Sequence, residues 1–226
     1  MILKNIILFP DSDEYWKRQE EVGLVREQTP FICKYLELNL KNLKFNTSGF
    51  NIVNFSGASS PKKVHTLLQS LVVPVKFDLT ECLATPLEER TEYYLALIES
   101  GLRRVEDASL LPKDLMLGWL DDFRRAGCKT VWTHKERTFR EHGIKCQLNA
   151  ELSINGFDLH LNIYKKNTLI FSKIIHSGSS SIFIYPYFLG DVKLSADSIM
   201  VCDKLGKLIF DLPLSSIWRV TLEARR

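Results

Sequence analysis

The 226-residue sequence has no CxxC pair, no GxGxxG or GKS phosphate loop, and no run near the roughly 18 apolar residues that a membrane helix needs. Its five cysteines, Cys33, Cys82, Cys128, Cys146 and Cys202, are scattered and odd in number, which argues against a disulfide framework or a zinc ribbon. A reducing cytosol is the expected compartment. Neither sign of charge dominates: 30 Lys+Arg against 27 Asp+Glu leave a net charge of +3, far from the excess of a dedicated nucleic-acid binder. The apolar run Ile6-Ile7-Leu8-Phe9 is closed by Pro10 and Asp11, too soon for the core of a signal peptide. A Pro/Gly/Ser-rich linker is also missing, so the chain reads as one domain over 1–226, with a possible subdivision into a strand-rich part, 1–80, and the remainder, 81–226.

What is present is an ordinary globular composition, 45% hydrophobic and 25% charged, with enough length to bury a substantial core. Phe31 to Leu43 alternates Leu36, Leu38 and Leu40 against Tyr35, Glu37, Asn39 and Lys41, the two-residue period of a half-buried strand. Asn46 to Gly49 supplies turn chemistry, and Phe50 to Phe55 then predicts a second strand and a hairpin. Ser60 before Pro61 predicts a short helix from Lys62 to Leu71, ended by Pro74. From Thr85 the period becomes helical, with Tyr94, Leu95, Leu97, Ile98 and Leu102 on one stripe. A second helix follows from about Pro112 to Ala126, with Leu115, Met116, Trp119, Leu120 and Phe123 inward. Beyond Gly127 strands return, over Thr130 to Phe139, Ile144 to Ile154, Phe157 to Tyr164, Leu169 to His176, Ile182 to Phe188 and Leu208 to Leu212, with Asn155-Gly156 as the sharpest hairpin signal. Together these predict an α+β fold: an antiparallel sheet built from N-terminal strands and a C-terminal meander, with a central helical hairpin.

Candidate chemistry is scattered. Ser56 to Lys63 lies between a strand and an expected helix start, where free N–H groups and lysines can hold an anion, yet capping a loop explains the same letters. His134-Lys135-Glu136 has the His-x-Glu of zinc deaminases without their Pro-Cys-x-x-Cys, and His134, His142, His160 and His176 have no ligand spacing. Lys129, Lys135, Arg137, Arg140 and Lys145 interleave with Trp132 and Phe139, a pattern that suits single-stranded nucleic acid or, equally, a basic outer face over an aromatic inner one. The segment from Glu81 to Asp107 has the opposite polarity. There Glu88 and Glu92 share a helix face, as do Glu89 and Tyr93 one step around, and such a face suits a basic protein partner.

Thr91-Glu92-Tyr93-Tyr94-Leu95 through Gly101-Leu102, then Pro112, Phe123, Trp132, Phe139, Phe157-Asp158-Leu159 and Cys202-Asp203-Lys204 to Phe210, follow an order that resembles immunity proteins encoded beside polymorphic bacterial toxins of the rearrangement-hotspot and contact-delivered kinds. The likeness runs from Thr85 to Leu212, and the first eighty residues carry no part of it. The resemblance implies a cytosolic, non-catalytic protein that binds and neutralises a cognate toxin domain; no cofactor, no metal and no membrane partner are expected, given the missing ligand spacing and apolar runs. Glu88, Glu89, Glu92 and Tyr93 are the expected partner-binding residues. The alternative is a nucleic-acid-associated protein binding through 129–145, and a third reading is a small enzyme with an unrecognised site.

Overall fold

The computed structural model describes residues 1–107 and 109–217, and these divide into two compact units, one up to Thr130 and one from Val131 on. The division falls after the helical hairpin, so the hairpin belongs with the N-terminal strands; residue 80 is not a boundary. The fold is α+β. Among the described residues, no helix is long and apolar enough to cross a membrane.

In the first unit the order is β1 (Asn5–Pro10), α1 (Gln19–Gln28), α2 (Pro30–Leu43), β2 (Ile52–Ala58), β3 (His65–Leu67), β4 (Ser70–Lys76), α3 (Leu79–Ala84), α4 (Leu87–Arg104) and α5 (Lys113–Arg125). The sheet is ordered β1-β2-β4-β3. Its first three strands are parallel, and β3 is antiparallel to β4. The expected all-antiparallel N-terminal sheet is therefore corrected to a mixed one. The reason lies in α1 and α2, which carry the chain back between β1 and β2 as a crossover.

The largest correction is α2. Residues spaced by four satisfy a two-residue period as well as a helical one, and Leu36 and Leu40 are buried together with Phe31 and Ile32, whereas Leu43 is exposed. Thr29 before Pro30 marks the helix start, and proline at the first position costs the helix no hydrogen bond. The helix expected from Lys62 to Leu71 does not form either. Ser60-Pro61 there opens an extended segment leading to the β3–β4 hairpin, and Pro74 lies inside β4 instead of ending a helix.

One face of the parallel strands, formed by Ile6, Leu8, Val53, Phe55, Leu71, Val73 and Val75, is buried beneath helices. The helical stripe of α4 is as expected: Tyr94, Leu95, Leu97, Ile98 and Leu102 are buried. In α5 the phase is turned. Met116, Leu120 and Phe123 are buried, Trp119 is half-buried, and Leu115 is exposed. Burying each phenylalanine or leucine of this core contributes about 1.5–3 kcal/mol.

The second unit contains β5 (Thr130–Phe139), which begins at the boundary, β6 (Ile144–Ser153), β7 (Gly156–Lys165) and β8 (Thr168–Gly178) as one sheet in that order. Ile144, Cys146, Leu148, Ala150 and Leu152 of β6 alternate inward beside Phe157, Leu159, Leu161 and Ile163 of β7. The β6–β7 hairpin is where expected, but its two turn residues are Ile154 and Asn155, one earlier than the Asn155-Gly156 pair; Gly156, at φ +139°, opens β7 opposite Ser153. The segment Ile182 to Phe188 is not a strand. Ser181 accepts the Ile184 and Tyr185 N–H groups on its carbonyl, and a single helical turn α6 (Tyr185–Phe188) follows. Two strands unforeseen in the sequence, β9 (Asp191–Leu194) and β10 (Ser198–Cys202), join β11 (Leu208–Pro213) in a three-stranded antiparallel sheet.

Two glycines inside helices provide a paired test. A Cβ on Gly101 of α4 would stand 2.5 Å from the Phe55 ring and 2.9 Å from Val75, while one on Gly118 of α5 would meet nothing within 4 Å. Urea denaturation of Gly118→Ala is expected to show a gain of about 0.5–1 kcal/mol from helix propensity. Gly101→Ala is expected to lose about 1–3 kcal/mol from overpacking despite the same propensity gain.

Candidate functional site

The acidic segment is assembled by local helix chemistry. Asp78 caps α3, its Oδ1 accepting the N–H groups of Thr80 and Glu81 at 2.8 and 3.0 Å. Thr85 donates its hydroxyl to the Glu81 carbonyl at 2.9 Å. Arg90 is spent on the same corner. Its Nε donates to the Thr85 carbonyl at 2.8 Å, one Nη to the Leu83 carbonyl at 2.7 Å and the other to Gln28 Oε1 at 3.3 Å.

These commitments divide the four predicted partner-binding residues. Glu92 receives Arg124 Nε at 2.9 Å, and the same guanidinium reaches Glu99 at 2.5 Å. Tyr93 donates its hydroxyl to the Asp78 carbonyl at 3.4 Å and packs its ring edge-on to Phe77 and Tyr94. Burial pushes its phenol up to about 12, so it stays protonated and neutral. Glu88 and Glu89 are exposed and have no ion-pair partner among the described residues, because the one arginine beside them faces α3. Glu88 and Glu89 also sit in the first turn of α4, where the helix dipole favours negative charge.

Tyr93 lines a groove of about 500 Å³ between α4 and the chain leading into α3, with Lys76, Asp78, Glu81, Ala96 and Ser100. Glu81 likewise has no ion pair among the described residues, and Glu89 precedes Tyr93 by one turn on the same helix face. The arrangement is a tyrosine-floored groove beside carboxylates that the protein itself leaves unneutralised.

The basic alternative is internally compensated over much of its length. Arg137 and Lys135 reach Asp191 at 2.9 and 3.7 Å, and Lys145 lies 3.7 Å from Glu136 and 5.4 Å from the centre of the Tyr164 ring. Bonding to Arg137 holds the Asp191 carboxyl below the usual carboxylate range. Trp132 meets Tyr185 edge-on at 6.4 Å, and Arg140 is exposed. The histidines do not converge. His134 Nε2 bonds the Gly190 carbonyl at 3.1 Å, His142 lies in a turn, His160 stands 3.9 Å from Glu151, and His176 stacks on Phe188. Burial lowers the pKa of both His134 and His176. No group of three or more His, Cys, Asp or Glu among the described residues is arranged to hold a metal ion.

Sequence reasoning missed a larger cleft, of about 650 Å³, beside Phe9, Asn54 and Val72 of the parallel sheet at the carboxyl ends of β1 and β2. Asp11, Asp13, Glu14, Ser56, Lys62 and His65 stand around it. Ser60 and Lys62, weighed as an anion loop, do lie there. No helix follows them, so the expected helix N-terminus is absent and three carboxylates face the same space. The legible signal was the apolar run Ile6 to Phe9 ending in Asp11-Ser12-Asp13.

No family model, no curated protein and no solved structure matches the chain.

All five cysteines are free thiols, four of them buried and Cys128 half-buried. Burial pushes the thiols of Cys33 and Cys82 up and that of Cys146 up to about 12; Cys128 is raised by the same cause and keeps partial access to solvent. With a thiol reagent such as DTNB at mildly alkaline pH, the native protein is expected to react slowly at Cys128 alone, identified by peptide mapping, and at all five cysteines in denaturant. Fast labelling of a second cysteine in the native state would contradict the core packing.

Proposed function

We propose that the chain is a non-catalytic immunity protein that binds and neutralises a cognate toxin domain, meeting a basic face of that domain with the start of α4 and the end of α3. One observation carries the reading: the acidic segment is neutralised unevenly. Arg124 takes Glu92 and Glu99, Arg90 is turned into the α3 corner, and Glu81, Glu88 and Glu89 are left with their full charge at one end of the helix pair. Uncompensated charge of one sign steers an oppositely charged partner and raises its association rate. Tyr93, fixed by the Asp78 carbonyl, adds rigid area beside those charges at little entropic cost. The immunity-like order of residues from Thr85 to Leu212 supplies the kind of partner, and cytosolic action accompanies it.

The test uses the toxin domain encoded beside this gene. Replacing Glu81, Glu88 and Glu89 together by Gln is expected to slow association about tenfold at low salt, with the difference shrinking at about 0.5 M salt. Glu92→Gln is expected to change the rate little, because that charge is already shared with Arg124. Circular dichroism checks that the variants fold, since each carboxylate in the first turn contributes only about 0.3–1 kcal/mol to the helix. An unaltered association rate for the triple variant, or no complex with the adjacent product, would overturn the proposal.

A further inference from the structure

Parallel sheets are ordinarily covered on both faces, and in open α/β sheets ligands bind outside the carboxyl ends of the strands. Here Ile7, Phe9, Asn54, Ser56 and Val72 share the face opposite the helices and are only half-buried, and the cleft of about 650 Å³ lies along that face. Its volume is that of a small-molecule site.

The hydrogen-bonding capacity left over in the cleft is one-sided. Asp11 uses Oδ1 to hold the turn, accepting the N–H groups of Asp13 and Glu14 at 2.9 and 3.2 Å, while Oδ2 has only a 3.5 Å contact from Ser56 Oγ. The Glu14 carboxylate accepts the Ser59 N–H at 3.0 and 3.2 Å and also interacts with the Tyr15 side chain, and its remaining lone pairs are unmatched among the described residues. Asp13 makes no side-chain bond among the described residues. Asn54 lies in the lining, and its Oδ1 is buried with no partner. His65 donates from Nδ1 to the Lys63 carbonyl at 3.1 Å. Against these acceptors stand Lys62 in the lining and Arg26 at its edge, which donates to Ser12 Oγ at 2.8 Å. The remaining wall is apolar, from Phe9, Leu67, Val72 and Pro74, and the Phe9 ring already holds the Arg26 guanidinium 5.3 Å from its centre.

We propose that this cleft binds an aliphatic amine or guanidine, a cationic head rich in N–H donors on a methylene stem. The head would satisfy Asp13, Glu14 and the free oxygen of Asp11, and the stem would lie on the apolar wall. An anion would face three carboxylates, and a neutral polyol brings as many acceptors as donors and leaves lone pairs unmatched. The ligand's source is a free polyamine or a basic side chain presented by another protein. This site is separate from the α4 groove and does not rest on the immunity reading.

Calorimetric titration of the full chain at low ionic strength tests it, with spermidine and agmatine as free amines, Nα-acetyl-arginine amide as the side-chain mimic, and 1,4-butanediol as the uncharged control. The expected result is saturable one-to-one binding of at least one cationic probe and none of the diol. Asp13→Lys, at a position with no side-chain bond to lose, and Leu67→Lys, at an exposed position on the cleft wall, are each expected to weaken binding about tenfold. Glu141→Lys, exposed on the other unit, controls for general surface charge and is expected to leave it unchanged. Binding of the free amines alone would place the ligand among polyamines, and binding of the arginine amide alone would place it among protein side chains. No saturable binding at low-millimolar ligand, equal binding in all three variants, or equal binding of the diol would overturn the proposal.

Discussion

The first unit depends on how closely α4 lies on the sheet. At Gly101 the helix backbone stands so near the Phe55 ring and Val75 that no Cβ fits without displacement. That approach puts Tyr94, Leu95, Ile98 and Leu102 into the core and fixes the rotation of the helix. The Tyr94 hydroxyl then reaches Gln28 at 2.7 Å, and Arg90 joins the same glutamine to the last carbonyls of α3. Helices α1, α3 and α4 are thereby locked at one corner by bonds shared on one amide. Everything that α4 offers to solvent follows from this rotation.

Its electrostatic consequence is a sorting of like residues into unlike roles. Glu92 and Glu99 face Arg124 on α5 and hold the helical hairpin together; partly exposed pairs of this kind contribute modestly to stability. Glu88 and Glu89 are a turn earlier, where the neighbouring arginine is already bound to backbone carbonyls, and they keep their charge. A chain with a net charge of +3 thus carries a local negative field at one end of one helix pair. In the second unit the opposite happens. Asp191 draws in Lys135 and Arg137, and Glu136 draws in Lys145, so a basic run in sequence is partly cancelled in space.

How much of this was legible depended on the range of the interactions involved. Strands β6 and β7 were read nearly to the residue because their pairing is set by the tight Ile154-Asn155 turn before Gly156 and by strict alternation, both local. The α4 stripe was legible for the same reason. Helix α2 was misread because Leu36, Leu38 and Leu40 fit two periods, and only tertiary burial, of Leu36 and Leu40 with Leu38 half-exposed, selects the helix. The parallel pairing of Phe9 with Ser56 and of Ser56 with Pro74 leaves no local mark, so of the cleft it creates only the acidic end of β1 was legible. At the candidate partner site the residue types were legible but their availability was not. Whether Glu92 or Glu88 is free depends on where Arg124 and Arg90 point, and that is settled by helix packing.

The proposed partner surface is the unneutralised acidic end of α4 with α3 beside it. Hydrogen–deuterium exchange of the full chain, alone and mixed with the toxin domain proposed as its partner, tests it without altering a residue. New protection is expected in peptides spanning 78–93, with β5 and β6 exchanging as in the free protein. Protection confined to 129–145, with 78–93 unchanged, would contradict it.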